Sequence, residues 1–322
     1  FLSEARITFN QALVLLTDSG SDEQVVNAMN TIGISYRESG QLEDAFDIFQ
    51  DAYDLLQNKP HLNEEKVHIL NNIATIHSIW GNFEESLRYY SEALSILEQN
   101  GDDNASIAYL YNNISGIYYF WNQPEIAIKY LKQSVEIFDH HGLYERLIEP
   151  YFNLAYCYLL LDDDAKALSY FHKCIDFYEQ QDVSGRLIIL YNQVASLHID
   201  KERFNEAEPY LKKAESLIQE PQGLSATELY IFYYYSGKLN LDQKIFDKAL
   251  DNFYLAKEIA DQSGLKNHKQ GLLKSLSDLY AAIGQFEKAL KYQYQYIEIL
   301  DQLFSENNNQ LLAEYEARYK SH

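Results

Sequence analysis

A segment of about 40 residues recurs along the whole chain, and this period is the strongest constraint on its fold. One small residue marks the same place in each copy, at intervals of 40 to 42 residues. These markers are Ala5, Ala45, Ser86, Ala127, Ala167, Ala207, Ala249 and Ala289. A fixed period of this size predicts supersecondary units that stack on one another, each burying its apolar face against its neighbours.

Each copy has the pattern of two amphipathic helices joined by a turn. The first helix carries an apolar, a small and an aromatic residue, as in Ile32, Gly33 and Tyr36. The second helix carries the small marker and a large, usually aromatic, residue four positions later, as in Ala45 and Phe49. Apolar residues recur at intervals of three and four, which predicts helices, and the alternation typical of strands is absent from the sequence. Small residues on both helices are expected to let the two backbones approach closely.

Glycines mark the places where the chain is expected to leave the helical conformation. The turn within a hairpin is predicted at Gly40, Gly81 and Gly284. A left-handed cap after the second helix is predicted at Gly101, Gly142 and Gly264.

This pattern resembles the tetratricopeptide repeat, in the long-repeat variety found in bacterial regulators and peptide-binding scaffold proteins. The period exceeds the usual length of about 34 residues, and the closing proline of the consensus is missing from every unit. The resemblance implies an all-α fold, a right-handed superhelical solenoid of about seven helix hairpins. We expect an N-terminal half-repeat over residues 1–21, the array over 22–300, and a C-terminal capping or signalling helix over 301–322.

The charge of the chain limits its partners. The formal net charge is −22 over 322 residues. Phosphate backbones and anionic membrane surfaces would be repelled, so nucleic acid is not an expected partner. A basic or neutral peptide fits better, although solubility of a large surface also explains the charge. No run of 18 apolar residues exists in the sequence, so no direct membrane insertion is expected.

The sequence predicts neither catalysis nor a cofactor. A glycine-rich phosphate loop and a Ser or Cys nucleophile motif are both absent from it. His77 and His198 occupy the aromatic position of their units, which packing explains. The pair His140–His141 lies at a helix end, where a cation is favourable and metal binding is the weaker interpretation. The run at residues 162–164 is expected to cap the next helix rather than to bind calcium.

Two cysteines, Cys157 and Cys174, are expected to be buried thiols. The sequence leaves open whether they form a disulfide. So few cysteines fit either the cytoplasm or a bacterial periplasm. The chain begins at Phe1 without Met and within a half-repeat, which is typical of an excised piece or a mature product.

In proteins that contain tetratricopeptide repeats, the first helices line a concave groove. On the corresponding positions here an amide recurs every 40 or 41 residues, at Asn72, Asn113, Asn153 and Gln193. An amide both donates and accepts hydrogen bonds, so this series is predicted to bind the main chain of a peptide. The alternative is that the amides support the hairpins themselves. Aromatic residues beside the series are predicted to line apolar pockets for side chains, namely Tyr119, Tyr156 and Tyr234.

The last helix is predicted to run from Phe286 to the end of the chain, without Gly or Pro. It either caps the array or transmits a signal. Residues 303–320 resemble the join in bacterial transmembrane signalling proteins, where an extracytoplasmic tetratricopeptide array precedes a membrane span and a histidine kinase or GGDEF domain. This resemblance implies a homodimer through the helix and a periplasmic location, with the cytoplasm as the alternative.

These observations predict a non-catalytic sensor or regulatory region of a bacterial signal-transduction protein. Its expected ligand is a protein or peptide in the concave groove. A peptide-pheromone receptor and a structural assembly scaffold are the alternatives. Either alternative uses the same repeats without a membrane-bound output domain.

Overall fold

The computed structural model describes residues 20–100, 105–181, 184–218, 224–265 and 268–301. These ranges contain helices and turns, with no strand. The α-helices are α1 (Asp22–Glu38), α2 (Leu42–Leu55), α3 (Asn63–Ile79), α4 (Phe83–Asn100), α5 (Ala105–Phe120), α6 (Pro124–His140), α7 (Ile148–Leu160), α8 (Asp164–Gln181), α9 (Ser184–Asp200), α10 (Phe204–Ile218), α11 (Ala226–Asp242), α12 (Phe246–Gln262), α13 (Lys269–Ala282) and α14 (residues 286–301).

Each odd-numbered helix pairs with the helix that follows it, so the described residues form seven hairpins. This arrangement confirms the predicted all-α array of repeats. The chain divides into two compact units, and the division falls inside α8, between Tyr170 and Phe171. The predicted half-repeat over residues 1–21, apart from its last two residues, and the part of the C-terminal helix after residue 301 lie outside the described residues.

The small markers form the contact between the two helices of each hairpin. Six of the seven markers within the described residues have no exposed surface, and Ala289 is 7% exposed. On the facing helix, Gly33 leaves room for the ring of Phe49, whose Cε1 lies 2.5 Å from where a Cβ on Gly33 would stand. Gly237 and Phe253 repeat this geometry at the same distance. The close approach predicted from the small residues is therefore present.

Two of the serines at small positions, Ser86 and Ser277, add a hydrogen bond across the hairpin. The Ser86 hydroxyl donates to the carbonyl oxygen of Ala74 at 2.7 Å. The Ser277 hydroxyl donates to the carbonyl oxygen of Ala289 at 3.0 Å. Both serines are buried, so these bonds satisfy hydroxyl groups that would otherwise be costly to enclose.

The turn within each hairpin has a left-handed residue at a periodic position. Positive φ angles occur at Gly40, Gly81, Asn122, Asp162, Glu202, Lys244 and Gly284. The next residue donates its N–H to the carbonyl five positions earlier in the chain, as Asn82 does to His77 at 2.8 Å. This is the Schellman arrangement that ends a helix. The three turn glycines are confirmed, and four other residue types adopt the same conformation.

Other predicted caps are also found. Gly142 and Gly264 have φ angles of +66° and +67° after their second helices, whereas Gly101 lies outside the described residues. At the start of α8, the Asp163 carboxylate accepts a hydrogen bond from the N–H of Lys166 at 3.2 Å, as expected of a capping residue.

Stacked rings join the two helices of five hairpins, a feature that the sequence pattern did not predict. Each ring of the first helix lies parallel to a ring twelve residues later on the second helix. The centroids are 5.4 to 6.1 Å apart and the planes differ by 5° to 15°. The pairs are His77–Tyr89, Tyr118–Tyr130, Tyr158–Tyr170, His198–Tyr210 and Tyr280–Tyr292.

We predict that Gly33→Ala destabilises the first unit by about 1–3 kcal/mol, because its Cβ would collide with the Phe49 ring. Adding Phe49→Leu should recover part of the loss, since Leu occupies the equivalent position at Leu131 and Leu211. Urea unfolding of both variants tests this. A Gly33→Ala variant as stable as the unmodified protein would contradict the close-approach argument.

We also predict that Lys244→Gly stabilises the second unit by about 0.5–1 kcal/mol. Lys244 is exposed and has a φ of 62°, a conformation that strains any residue with a Cβ. Thermal unfolding measures the gain. The reverse change, Gly40→Ala, is the matched control. Beyond its chain neighbours, no atom of the described residues lies within 4 Å of its Cβ position, so its expected loss reports backbone strain alone.

Candidate functional site

The first helices of successive hairpins contact one another directly in the first unit, where α1, α3, α5 and α7 follow in order. We call the surface that they form the first-helix face. Small-residue positions point towards the paired second helix, so the residues two and three positions before them lie along the first-helix face. In α3 and α5 these positions hold the doublets Asn71–Asn72 and Asn112–Asn113.

Amide side chains link each first helix to the next. Asn72 donates from Nδ2 to Oδ1 of Asn30 at 2.7 Å. Asn113 donates in the same way to Asn71 at 2.9 Å. Asn153 donates to Asn112 at 3.0 Å. We call these three links the amide ladder. Its donor always lies two positions before the small residue, and its acceptor lies three positions before the small residue of the preceding hairpin.

The three donors of the amide ladder differ in what they leave free. Asn72 is 5% exposed, and its Oδ1 already accepts a hydrogen bond from Arg37 at 2.7 Å. Asn113 and Asn153 are half-buried, and their Oδ1 atoms accept no hydrogen bond from the described residues. Of the predicted ladder residues in this unit, Asn113 and Asn153 therefore retain an acceptor, whereas Asn72 is occupied by its neighbours.

A pocket of about 310 Å³ lies between α5 and α7, beside the second and third links of the ladder. Its lining residues are Ser115, Gly116, Tyr119, Phe120, Phe152, Asn153, Tyr156 and Cys157. On each helix the four residues follow the spacing i, i+1, i+4, i+5, which is one face of a helix. The structure thus brings together three residues predicted separately, Asn153, Tyr119 and Tyr156. We call this the α5–α7 pocket.

The α5–α7 pocket is electrically neutral. None of the described residues that line it carries a charge. Burial raises the pKa of the Cys157 thiol to about 12, so it stays protonated and is no nucleophile near neutral pH. Burial also raises the pKa of Tyr119, whose hydroxyl makes no hydrogen bond to the described part of the chain. The site therefore offers apolar surface and neutral polar groups.

In the second unit the predicted site residues are arranged differently. Gln193 is half-buried and makes no hydrogen bond to the described residues. Its neighbour Asn192 is fully buried and donates within its own helix to the carbonyl of Ile188 at 2.8 Å. Tyr234 stacks on Tyr230 with ring centroids 5.8 Å apart, and it packs against α13. A binding role for Gln193 and Tyr234 stays a prediction.

A larger, more open cavity of about 820 Å³ lies in the second unit, on α12 and α14. Its lining is partly charged, and two of these charges are already paired. Asp261 contacts Lys257 at 2.5 Å and also contacts Lys269 at 2.6 Å. These contacts lower the pKa of Asp261, with the hydrogen bond from Lys257 as the main cause. The paired Lys257 and Asp261 therefore leave little attraction for a charged ligand at that end of the cavity.

Three further observations concern possible metal ligands, the two thiols and membrane spans. No group of three or more His, Cys, Asp or Glu side chains among them is placed to hold a metal ion. Cys157 and Cys174 are free and buried, which confirms the interpretation as buried thiols. Among the described helices, none combines the length and apolar character needed to cross a membrane.

His77 lies among aromatic rings, and burial is the main cause that lowers its pKa. The Glu85 carboxylate raises the pKa to a smaller extent, and the Arg88 guanidinium lowers it. It stacks on Tyr89 and meets Phe46 and Trp80 edge-on, and its Nδ1 is buried without a hydrogen-bond partner in the described residues. The pKa of His77 is therefore lower in the folded chain than in the unfolded chain.

We predict that His77 makes the first unit lose stability as pH falls below about 6.5, where the unfolded chain takes up a proton that the folded chain resists. Above that pH the effect vanishes. The measurement is urea unfolding at pH 7.5 and 5.5 for the unmodified protein and for His77→Phe. The variant should show a smaller difference between the two pH values. Equal differences would show that His77 does not contribute.

Family models and solved structures agree with this fold. Models described as tetratricopeptide repeat match residues 25–58, 66–140, 148–181 and 188–221, which is more than half of the chain. The chain therefore belongs to the tetratricopeptide repeat family. No curated protein matches its sequence.

Three solved structures illustrate the similarity. Aspartyl phosphate phosphatase F from Bacillus subtilis has a TM-score of 0.65 and 15% identity, over 90% of this chain and 74% of its own. A Rap protein complexed with competence and sporulation factor has a TM-score of 0.62 and 15% identity, over 94% and 87%. The apo form of the quorum sensor NprR from B. thuringiensis has a TM-score of 0.55 and 15% identity, over 92% and 98%. At such identities the similarity shows the fold.

Proposed function

We propose that this chain is a non-catalytic peptide-binding protein whose first-helix face holds an extended peptide by its main chain. The observation that carries the proposal is the pair of free acceptors on Asn113 and Asn153, on adjacent helices and beside an apolar pocket. Their Nδ2 groups are fixed by the amide ladder, so the two carbonyl oxygens are held in place before a ligand arrives. Such preorganisation reduces the entropy lost on binding.

The chemistry of this arrangement favours main-chain recognition. A peptide N–H can donate to each free Oδ1, whatever the residue to which it belongs. The link that fixes each amide also sets the direction of its oxygen, because Nδ2 and Oδ1 share one plane. Selectivity among peptides must then come from side-chain pockets, as in other complexes where an extended chain is bound through its backbone.

The fold neighbours support a regulatory role. One solved neighbour is a Rap protein complexed with competence and sporulation factor, and another is the quorum sensor NprR. We propose a peptide-responsive regulatory protein, either as the sensor region of a bacterial signal-transduction protein or as a receptor for a signalling peptide. The net charge of −22 favours a peptide without excess negative charge. A homodimer through the C-terminal helix and a periplasmic location stay predictions.

The experiment that tests the proposal separates binding from support. Decapeptides are selected from a random displayed library on the immobilised full chain, and synthetic labelled copies are measured by fluorescence anisotropy. We predict that Asn113→Ala weakens binding by roughly five- to tenfold, the value of one hydrogen bond.

The matched control is Asn71→Ala, which removes the same inter-helix hydrogen bond but keeps the Asn113 carbonyl. It should lower stability about as much as Asn113→Ala and reduce affinity by less than that variant does, because the acceptor is no longer held in place but remains present. Equal losses of affinity in the two variants would mean that the amides only support the hairpins. Failure to enrich any peptide on the unmodified chain would contradict peptide binding itself.

A further inference from the structure

Gly116 stands out among the glycines that the described helices contain. A glycine inside a helix destabilises it relative to alanine, so each helical glycine needs a structural explanation. At four of the five glycines in the described helices, a neighbouring side chain lies in the space of the missing Cβ, at 2.5 to 2.9 Å. These pairs are Gly33 with Phe49, Gly185 with Glu228, Gly237 with Phe253 and Gly271 with Tyr234.

At Gly116 the described residues provide no such neighbour. None of their atoms, apart from the backbone of its own helix and its adjacent residues, lies within 4 Å of the Cβ position. The backbone there is helical, so no left-handed φ requires glycine either. The open space at Gly116 is the α5–α7 pocket, of which this glycine is a lining residue. The missing side chain therefore enlarges a cavity instead of admitting a protein ring.

The chemistry of the pocket determines what can fill it. Four aromatic residues line it, and Phe120 remains 67% exposed at its edge. Its lining side chains include no charge, so a charged group entering it would lose water without gaining a partner. An apolar ring or a branched aliphatic chain, by contrast, removes apolar surface from water on both sides of the contact.

The position of the pocket ties it to the amide ladder. Asn153 both lines the pocket and carries one of the two free acceptors. A peptide whose N–H donates to Asn153 Oδ1 therefore has a side chain within reach of the pocket. Successive side chains of an extended chain point to opposite faces, so a given peptide residue either enters the pocket or faces solvent.

We infer that the α5–α7 pocket receives one large apolar side chain, of the Phe or Leu type, from the peptide bound on the amide ladder, and that Gly116 keeps this pocket open. The inference rests on the proposed function and adds the ligand's class. The bound peptide carries an uncharged, bulky residue at one defined position, and small, acidic or basic residues at that position bind weakly.

The test fills the pocket from the protein side. Gly116→Leu should lower the affinity for the selected decapeptides by at least about 30-fold, the value of one buried apolar side chain. Its stability should not fall below that of the unmodified protein, because leucine favours helix more than glycine and meets no neighbour at Cβ. Gly116→Ala is the graded control, with the same gain in helix propensity and a smaller loss of affinity.

A second arm leaves the protein unchanged. In the selected decapeptide each apolar residue is replaced in turn by Ala and by Glu, and one position should account for a loss of at least about 30-fold with either change. One outcome would overturn the pocket inference while the proposed function stands. In that outcome the decapeptides bind and Asn113→Ala lowers their affinity. Gly116→Leu and every replacement in the peptide, however, leave the affinity unchanged.

A small probe tests the pocket independently of peptide binding along the amide ladder. N-acetyl-phenylalanine methylamide is titrated into the full chain and followed by saturation-transfer NMR, with the alanine analogue as the control. If the phenylalanine probe binds the unmodified protein and Gly116→Leu abolishes this binding, the pocket is supported. This holds even if no decapeptide is enriched, because that failure would contradict only the binding of a peptide along the groove. Equal signals from the unmodified protein and the Gly116→Leu variant would overturn the pocket inference.

Discussion

The close contact between the two helices of each hairpin determines the rest of this structure. The markers are buried because they lie where one helix backbone approaches the other, and the large residue four positions later fills the remaining space. Phe49 over Gly33 shows how tight the fit is, since the ring takes the place of a Cβ. With that distance fixed in every hairpin, the first helices of neighbouring hairpins also come close enough for asparagine side chains to reach one another.

The amide ladder supports the packing of the first helices and, under the proposed function, would also bind the peptide through the same side chains. One end of Asn113 or Asn153 is used to link two helices, and the other end is left with an acceptor. The two interpretations that the sequence left open are therefore compatible, because an amide has both a donor and an acceptor group. Asn72 shows what happens when a neighbour competes, since Arg37 takes its oxygen.

The sequence predicted the fold closely because each repeat gives independent evidence for the same pattern. It located the turn glycines and the markers within the described residues, and three of the four amides in the predicted series form the ladder links. It did not predict that Asn122, Asp162, Glu202 and Lys244 adopt left-handed turns, because only glycine was used as the signal for that conformation. Nor did it reveal the stacked ring pairs or the role of Gly116, since both depend on which faces of two helices meet. A pocket between helices has no local signature in the chain.

The amide ladder also indicates which repeats of the first unit could be duplicated. Repeats two and three carry asparagine at both ladder positions, so each accepts from the following repeat and donates to the preceding one. The first repeat has only the acceptor, Asn30, and the fourth has only the donor, Asn153, with Phe152 at its acceptor position. The second and third repeats can therefore form an amide link on both sides, whereas the first and the fourth form one on a single side. Duplication of one middle repeat in the gene would lengthen the first unit and add one amide link without requiring a new complementary surface.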